Sequence, residues 1–382
     1  MRKLKVLHII TSLDKGGAEA VLCRLVGIKS EDFEFSIISL MGEGYYSSTI
    51  RDIGCDFHPF KFTRFFRLKN LVEFVRLVRL ISIISPNVIQ TWLYHADLIG
   101  GVAARLAGFD CVIWGIRSSA ITPANSSFFT RLVVWFSARL SCVIPCAIST
   151  CSTIAAEEHI KLGYDKDKFI VIPNGFNLIS FSPNRISRDQ VRKEWGFDNE
   201  EVLFGCVARW DPYKDYPNLF EALSLLIHGG KSVRCVLVGG GLSHSNHILI
   251  ELLLKFKLTN HVILADFRND IPAVMNAFDF HILPSASEAF PNVVAEAMAC
   301  QTPCIVTNVG DASMIVGDTG WVVHPNNPFL LSQAIHEASC SVGSESDLER
   351  RIKARQRIEN NFTLKKMADS YYALWKKIFY NN

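Results

Sequence analysis

The chain has 382 residues, and at roughly 100–200 residues per domain this length predicts two or three globular units, of which two is the simplest arrangement. Hydrophobic residues make up 49% and charged residues 20%, which excludes wholesale disorder, and a net charge of +3 is too small to indicate a nucleic-acid partner. Residues 1–170 nevertheless hold 20 Lys and Arg against 15 Asp and Glu. This mildly basic first half suits an anionic partner or a membrane surface.

The N-terminus and the cysteines together predict a cytoplasmic protein. The charged start is followed by an apolar run only at 6–10, which is too short for the core of a signal peptide. No window offers about 20 predominantly apolar residues, so no transmembrane helix is expected. The eleven cysteines lack paired CxxC spacing and mostly lie in apolar surroundings. They therefore predict buried free thiols rather than disulfides or a metal site.

Short apolar runs alternate with segments of helical spacing along the first half of the chain. The predicted strands are Lys5–Thr11, Phe35–Leu40, Val88–Thr91, Val112–Gly115, Val143–Ser149 and Phe169–Ile172. Helical spacing is clear in Ala18–Val26 and in Leu68–Ile84, where Leu71, Val75 and Val78 form the expected apolar stripe. Such strand–helix alternation is typical of an α/β fold with a doubly wound parallel sheet.

A break in this rhythm predicts the domain boundary. Pro173 to Asn177 form a turn-rich segment, and the polar stretch 180–200 after it is expected to be a linker. A second series of predicted strands follows at Val202–Ala208, Val233–Val238, Val262–Leu264, Phe280–Leu283 and Cys304–Thr307, and amphipathic helices occupy Asp347–Phe379. We therefore predict two doubly wound, Rossmann-like domains, 1–177 and 178–360, facing a central cleft. Ligands are expected beyond the C-terminal ends of the strands.

Two loops that follow predicted strands carry groups suited to phosphate. Gly16 and Gly17 precede a helix, and paired glycines let the backbone approach an anion at a helix N-terminus, although a tight turn alone explains them equally well. Arg209 and Lys214 lie five residues apart just past a strand. Both could bind one diphosphate. A solvated basic loop is the alternative for that pair.

The segment from Pro284 to Ala299 is the most informative part of the sequence. A strand ends in a loop bearing Glu288, Asn292 is expected to cap the following helix, and Glu296 lies just inside that helix. Amides of a first helical turn suit a diphosphate, and carboxylates on either side suit the hydroxyl pairs of a sugar nucleotide. The alternative is that Glu288 is a surface residue and Glu296 a helix-dipole residue.

Glu288 and Glu296, with Phe290-Pro291-Asn292 between them, resemble the E-x7-E motif of family-4 retaining glycosyltransferases of the GT-B fold. The likeness extends along nearly the whole chain, in the family's order. The further matching segments are Gly16–Glu19, Thr91–Asp97, Trp114–Arg117, Ile172–Gly175, Arg209 with Lys214, and Phe267–Pro272.

The resemblance implies a role for each matching residue. Arg209 and Lys214 would hold the donor diphosphate and stabilise the leaving nucleotide, Glu296 would bind the ribose, and Glu288 would bind the transferred sugar. His95 would lie near the reaction centre. The remaining donor contacts implied are the backbone at Gly16, Gly17, Phe290, Pro291, Asn292 and Val293, and the segment around Arg268 beside the base. Residues 361–382 would pack back on the first domain.

Three of these assignments have alternatives. His95 is otherwise a satisfied core histidine, and Arg117 is either an acceptor contact or part of a structural ion pair. Asp165 and Asp167 match a metal-binding DxD, but a solvated turn explains them better, and the resemblance implies an enzyme that needs no metal or other cofactor. Two residues depart from the family's pattern, since Ala289 and Asp266 stand where glycine is common.

The function that the resemblance implies is retaining transfer of a sugar from a nucleotide donor, expected to be a UDP-sugar. The acceptor would be a glycan, expected to be polyprenyl-diphosphate-linked, in capsule, O-antigen or exopolysaccharide synthesis. A sugar-nucleotide epimerase of the same shape and a catalytically silent sugar-nucleotide-binding protein are the alternatives. The basic and aromatic stretch Lys61–Lys69 is a candidate for peripheral contact with the inner membrane face.

Overall fold

Within the described residues, two parallel β-sheets organise the chain in the computed structural model, each in its own unit. The structure describes residues 3–63, 68–119, 126–198 and 200–381. Unit 1 comprises Met1–Gly175 and Leu364–Asn382, and unit 2 comprises Phe176–Thr363. The sequence predicted the corresponding boundaries at 177/178 and 360/361.

Unit 1 contains a seven-stranded sheet in the order β3-β2-β1-β4-β5-β6-β7, with all neighbours parallel. Its strands are β1 (Leu4–Ile10), β2 (Phe33–Ser39), β3 (Asp56–Pro59), β4 (Val88–Trp92), β5 (Val112–Ile116), β6 (Ala147–Thr150) and β7 (Phe169–Val171). Its helices before the boundary are α1 (Gly17–Val26), α2 (Ser47–Ile53), α3 (Leu68–Ile84), α4 (Tyr94–Leu106), α5 (Phe128–Leu140) and α6 (Thr153–Lys161). The order reverses between β1 and β4, which makes that point the switch of a doubly wound sheet.

Unit 2 contains a six-stranded parallel sheet in the order β10-β9-β8-β11-β12-β13. Its strands are β8 (Leu203–Val207), β9 (Arg234–Val238), β10 (Val262–Leu264), β11 (Phe280–Leu283), β12 (Cys304–Thr307) and β13 (Trp321–Val323). Its helices are α7 (Arg185–Glu194), α8 (Tyr216–His228), α9 (His247–Lys255), α10 (Ile271–Ala277), α11 (Asn292–Ala299), α12 (Ala312–Val316), α13 (Pro328–Ser341) and α14 (Glu345–Asn361). The last helix, α15 (Leu364–Asn381), belongs to unit 1.

Apolar side chains from helices cover both faces of the unit 1 sheet. One core joins residues of α1 and α2 to Tyr371 and Trp375 of α15, so the C-terminal helix packs on the first unit as the resemblance implied. The other core joins residues of α3, α4 and α5 to the opposite face of the sheet. Helices on both faces are what an all-parallel sheet requires.

The polar stretch 180–200 is not a linker. It contains α7, whose Arg188 and Arg192 form salt bridges with Asp279 at 2.6 and 3.1 Å. The Arg192 side chain is 1% exposed. The charge of Arg192 is paired inside unit 2 instead of being solvated. The polar composition of 180–200 therefore did not indicate a linker, as the sequence analysis had assumed.

The predicted apolar stripe of α3 is wrong at Leu71 and Val75, whereas Val78 packs against the core. Leu71 and Val75 are 62% and 44% exposed, whereas Leu77 and Ile81 are fully buried. Apolar residues occupy nearly every face of this helix, so spacing alone does not identify the buried face.

The expectations for the thiols and for membrane spans can be compared directly with the structure. All eleven cysteines lie in the described residues and none forms a disulfide; six are buried, whereas Cys142 and Cys340 are exposed. Among the residues described, no helix has the length and apolar character needed to cross a bilayer.

Candidate active site

The predicted residues of unit 2 follow the two strands at which its sheet order reverses. Arg209 and Lys214 come after β8, and Glu288 comes after the neighbouring β11. The C-terminal ends of adjacent parallel strands lie at one edge of a sheet, and ligands of doubly wound sheets bind there. The topology therefore brings the two predicted loops to one edge.

The loop after β8 holds Arg209 against Asp211. The guanidinium donates to Asp211 Oδ2 from Nε at 2.9 Å and from Nη2 at 2.7 Å, and Asp211 Oδ1 accepts from the Tyr213 amide at 3.0 Å. Burial acts to raise the pKa of Asp211, but these hydrogen bonds lower it below its ordinary value. The Arg209 side chain remains 71% exposed, so a guanidinium of fixed orientation is presented to solvent.

Lys214 and Glu288 contact each other directly. Lys214 Nζ donates to Glu288 Oε1 at 2.5 Å, and Ser285 Oγ donates to the same oxygen at 2.7 Å. The Lys214 and Glu288 side chains are only 19% and 12% exposed. The Ala286 amide also donates to the Tyr213 carbonyl at 2.8 Å. A phosphate at Lys214 and a sugar hydroxyl at Glu288 would therefore lie side by side.

The Glu288 loop is held from behind by residues that the sequence analysis missed. The Thr307 hydroxyl donates to the Ser285 carbonyl at 2.6 Å, and the Asp311 amide donates to the Ala289 carbonyl at 2.9 Å. Gly310 has φ +51°, and a Cβ there would lie 2.3 Å from the Glu288 carbonyl oxygen. Only glycine permits that approach. The sequence gives little indication of this role, because Gly310 and Glu288 are far apart along the chain.

Both departures from the family's glycines fit the local backbone. Ala289 is absent from the positive-φ residues of the described chain, so its position already suits an L-residue. Asp266 has φ +48°, a conformation that aspartate adopts more readily than most residues. Its carbonyl accepts from the Gly239 amide at 2.8 Å. The backbone therefore keeps a glycine-like course at Asp266.

Helix α11 begins one residue earlier than predicted. Pro291 is its N-cap, with φ −74° and ψ 96°, and Asn292 is already helical. The Pro291 carbonyl accepts from the Val294 amide at 3.1 Å, so the predicted Asn292 cap is wrong. Asparagine is a favoured N-cap residue. Here, however, Pro291 has the extended backbone of an N-cap, and the helix therefore begins at Asn292.

One face of α11 is left accessible beside the loop. Asn292, Val293 and Glu296 are partly exposed, whereas Val294, Ala295 and Ala297 are buried. Spacings of one and four residues place the three on one side of a helix. Glu296 therefore shares its face with the start of the helix, where the first amides point outward.

Arg268 makes its described contacts with Asp270, Glu194 and Trp195. It donates to Asp270 at 2.6 Å and to Glu194 at 2.5 Å, and its guanidinium lies 5.5 Å from the Trp195 ring centroid. Hydrogen bonding to Asp270 is the main reason that the pKa of Arg268 is raised, and Glu194 adds to it. The described contacts of Arg268 do not include Glu288 or Lys214.

A glycine loop after β9 lies next to Arg209 instead. The Trp210 amide donates to the Gly240 carbonyl at 2.8 Å. A Cβ at Gly239 would lie 2.0 Å from the Ala208 carbonyl oxygen. Three consecutive glycines directly after an apolar strand are the signal for this loop in the sequence, but the loop was not among the predicted sites.

In unit 1, Gly16 and Gly17 follow β1 at the switch point of that sheet. Gly16 is the extended N-cap of α1 and Gly17 is its first residue. A Cβ at Gly16 would lie 2.2 Å from Glu19 Oε2, so the Glu19 carboxylate lies at this helix start. Burial raises the pKa of Glu19. The structure thus places a side-chain anion where the sequence predicted a bound one.

His95 lies in the first turn of α4, after the neighbouring strand at the same switch point. It is partly buried, unlike His8, His159 and His281, which are fully buried. Burial lowers the pKa of His95, so the imidazole is uncharged at pH values near 7. His95 is therefore less enclosed than those three histidines, and its position near the reaction centre stays a prediction.

Asp97 holds the turn that carries His95. Its Oδ1 accepts from the Thr91 hydroxyl at 2.6 Å and from the Gly115 amide at 3.0 Å, and Leu93 in this turn has φ +73°. Burial raises the pKa of Asp97 to about 7, although both hydrogen bonds and the charge of Arg117 oppose this. Asp97 is thus a positioning residue that the sequence analysis did not single out.

Arg117 makes neutral contacts within unit 1. It donates to Asn174 Oδ1 at 3.0 Å and to the Tyr371 hydroxyl at 2.8 Å, and it lies 4.6 Å from the Trp92 ring centroid. Neither hydrogen-bond partner is charged, and among the described residues Arg117 forms no salt bridge, although its charge acts on Asp97. A contact with the acceptor stays a prediction.

Asp165 and Asp167 belong to a 3₁₀ turn at Lys166–Lys168. The Asp165 side chain accepts from the Asp167 amide at 3.1 Å and caps the turn. In the described part of the chain, no three His, Cys, Asp or Glu side chains are grouped as metal ligands. Of the predicted membrane stretch, Arg64, Phe65, Phe66 and Arg67 lie outside the described residues.

Two sequence-family models match the chain, one to most of each unit. The model described as Glycosyltransferase Family 4 matches residues 15–179, and the model described as Glycosyl transferases group 1 matches residues 187–357. Each match contains predicted site residues, which are Gly16, Gly17 and His95 in the first and Arg209, Lys214, Glu288 and Glu296 in the second.

Relatives of known activity and solved structures agree with this match. The chain is 27% identical over 298 residues to the UDP-Gal:alpha-D-GlcNAc-diphosphoundecaprenol alpha-1,3-galactosyltransferase of Escherichia coli, covering 76% of this chain and 75% of that protein. It is 24% identical over 287 residues to the capsular polysaccharide biosynthesis glycosyltransferase CapM of Staphylococcus aureus, covering 73% of each. HepE of Anabaena, solved with UDP-glucose, matches with a TM-score of 0.83 and 20% identity over 98% of this chain and 100% of that one. This chain is therefore a glycosyltransferase that belongs to family 4 and has the GT-B fold, with two Rossmann-like domains.

Proposed function

We propose that this glycosyltransferase acts with retention and moves a sugar from a UDP-sugar to a polyprenyl-diphosphate-linked glycan during synthesis of a bacterial surface polysaccharide. The Lys214–Glu288 pair carries the proposal. A cation for the diphosphate and a carboxylate for the sugar lie 2.5 Å apart, beyond adjacent strands at a switch point. In a UDP-sugar the diphosphate is likewise directly next to the sugar.

The donor would bind along unit 2 in a fixed order. Arg209 and Lys214 would bind the diphosphate, because both lie in the loop after β8, where Lys214 ends the 3₁₀ turn Pro212–Lys214. The amides at the start of α11 would add partial positive charge. Glu296, on the accessible face of the same helix, would accept hydrogen bonds from the ribose hydroxyls.

The chemistry would take place at the anomeric carbon of the donor sugar. An acceptor hydroxyl oxygen forms a bond to that carbon while the bond from the carbon to the diphosphate oxygen breaks, and the acceptor proton passes to the departing diphosphate. Arg209 and Lys214 stabilise the negative charge that develops on the leaving group. We propose that these cations and the α11 amides suffice, so that transfer proceeds in EDTA.

The surroundings of Glu288 favour a front-face course over a covalent intermediate. Its Oε1 already accepts from Lys214 and from Ser285, an arrangement that suits a carboxylate orienting sugar hydroxyls better than one attacking carbon. His95 is neutral because burial lowers its pKa, and it can hydrogen-bond a sugar hydroxyl without adding charge. Attack and departure on one face of the sugar give retention.

The lipid-linked acceptor is supported by one relative. The Escherichia coli enzyme is named for transfer from UDP-Gal to GlcNAc-diphosphoundecaprenol, and it is similar over about three quarters of both chains. CapM supports the more general assignment to polysaccharide synthesis.

Following donor consumption with and without acceptor tests this function. UDP-sugars that raise the melting temperature would be chosen first, because a ligand that binds only the folded state stabilises it by mass action. We expect UDP release that requires a polyprenyl-diphosphate-linked sugar. Isomerised donor without acceptor would instead identify an epimerase, and stabilisation without any turnover would identify a silent binding protein.

A further inference from the structure

Helix α5 presents its large apolar side chains to solvent. Its buried side is made by Val134, Ser137 and Ala138, two of which are small. Its outward side carries, at helical spacing, Phe128 (65% exposed), Phe129 (61%), Leu132 (40%), Trp135 (48%) and Phe136 (43%). The usual amphipathic pattern of a helix on a sheet is inverted here. A contiguous apolar face of this kind marks an interaction surface.

The same face carries only positive charge. The sequence has no Asp or Glu between Asp110 and Glu157, and α5 contributes Arg131 and Arg139. The Arg139 guanidinium lies 3.5 Å from the Trp135 ring centroid, and that of Arg131 lies 6.0 Å from the Phe128 ring centroid. Each arginine is therefore held beside an exposed ring.

Helix α3 repeats this combination in the same layer of unit 1. Helix α4 packs against both α3 and α5, and all three cover one face of the sheet. Among the described side chains of α3, the exposed ones other than Ser82 are apolar or basic, namely Leu71, Val72, Val75, Ile83, Lys69, Arg76 and Arg79. The single carboxylate of α3, Glu73, lies 3.6 Å from Arg76.

We infer that the outward face of α5 is a docking surface for an anionic lipid bilayer, with its aromatic rings at the headgroup level and its arginines on lipid phosphates. Aromatic rings and arginine stems suit this interface, where apolar and charged groups alternate over a few ångströms. A second copy of the chain fits less well, because a symmetric contact would bring two faces of like charge together. The inference deepens the proposed lipid-linked acceptor, since it places the chain where that acceptor lies.

Vesicle co-sedimentation of the full chain tests this surface without acceptor or donor. The vesicles are phosphatidylcholine alone, or phosphatidylcholine mixed with phosphatidylglycerol. We expect binding to the mixed vesicles only, and its loss on raising the salt concentration. Arg131→Gln combined with Arg139→Gln should weaken binding by about fivefold for each arginine, and Phe129→Ser combined with Trp135→Ser by at least about tenfold.

The matched control removes apolar side chains from unit 2. Ile248 and Leu254 of α9 are 63% and 59% exposed, and replacing both by Ser should leave vesicle binding unchanged. Equal binding by the wild type and the Phe129/Trp135 variant would overturn the inference. A dimer in solution that this variant dissociates, with no vesicle binding by the wild type, would assign the face to a second copy instead. Stabilisation by UDP-sugars, measured on the same samples, reports separately on the proposed function.

Discussion

Glu288 accepts hydrogen bonds from Lys214 and Ser285 at one oxygen, and this arrangement determines what its substitution should do. We expect Glu288→Ala to lower kcat at saturating UDP-sugar by at least about a hundredfold, because an oriented contact to the reacting sugar is lost. Affinity for UDP should persist, because UDP lacks the sugar. Glu288→Gln, which keeps an acceptor for Ser285, should retain more activity. Wild-type kcat in both variants would remove Glu288 from the site.

Glu296 should show the opposite division between binding and turnover. We expect Glu296→Ala to weaken UDP binding by about tenfold or more, since a hydrogen bond to a charged group contributes about 1.5–3 kcal/mol. Titration calorimetry with UDP measures this directly. Glu221→Ala on α8, an exposed glutamate of the same unit, is the matched control and should bind UDP normally. Unchanged affinity in the Glu296 variant would contradict its assignment to the ribose.

Asp97 predicts a dependence of stability on pH. Its pKa in the folded protein is about 7 against an ordinary 3.8, so the folded state retains this proton where the unfolded state releases it. The stability that the protonated group contributes is complete below 3.8 and is lost as pH rises towards 7, at about 1.4 kcal/mol per pH unit.

Asp97→Asn isolates this contribution. The Thr91 hydroxyl and the Gly115 amide both donate to Oδ1, and the amide oxygen of Asn can accept both bonds. We expect the variant to gain stability relative to the wild type as pH rises through this window, measured by chemical unfolding at several pH values. A difference between the two proteins that stays constant with pH would show that Asp97 titrates normally.

At the scale of elements, the loop after β11 depends on a close backbone approach. Gly310→Ala should cost on the order of 3 kcal/mol or more, because an L-residue at positive φ is strained and its Cβ would meet two carbonyl oxygens. Gly230→Ala is the control. It has φ +75° with nothing within 4 Å of its Cβ, and should cost only about 1–2 kcal/mol. Unfolding in denaturant measures the stability of both variants. An equal loss of stability in the two would contradict a steric clash of the added Cβ at position 310.

The elements themselves show where sequence patterns suffice. The predicted strands Val262–Leu264, Phe280–Leu283 and Cys304–Thr307 have the bounds of β10, β11 and β12, because short, continuous apolar runs leave a clear signal. Helix α7 was missed because its charged residues, which form buried salt bridges, have the composition expected of solvent-exposed residues. The buried face of α3 was misassigned because its apolar residues are not confined to one side.

The candidate site divides in the same way. The resemblance implied that Lys214 and Glu288 bind one donor, and the structure brings the two into contact because they follow adjacent strands of a doubly wound sheet. It missed Gly310, Ser285 and Asp97, whose roles come from contacts formed only when distant segments pack together. A local sequence pattern indicates which chemistry a residue can perform, whereas the roles of these three residues depend on tertiary contacts.

At the scale of the whole molecule, each unit repeats one arrangement. In both sheets the order reverses once, and predicted residues follow the two strands at the reversal, Gly16 and His95 in unit 1 and Lys214 and Glu288 in unit 2. A doubly wound sheet offers its ligand edge at that point irrespective of sequence. This recurrence explains how both units carry predicted site residues in comparable loops.

The measurement that tests the central claim most directly is the anomeric configuration of the product. The enzyme would be given the UDP-sugar that stabilises it most and a polyprenyl-diphosphate-linked acceptor, and the new linkage would be assigned by NMR coupling constants. From an α-linked donor we predict an α-linked product, with one UDP released per sugar transferred. A β-linked product would contradict the proposed front-face mechanism at the Lys214–Glu288 site.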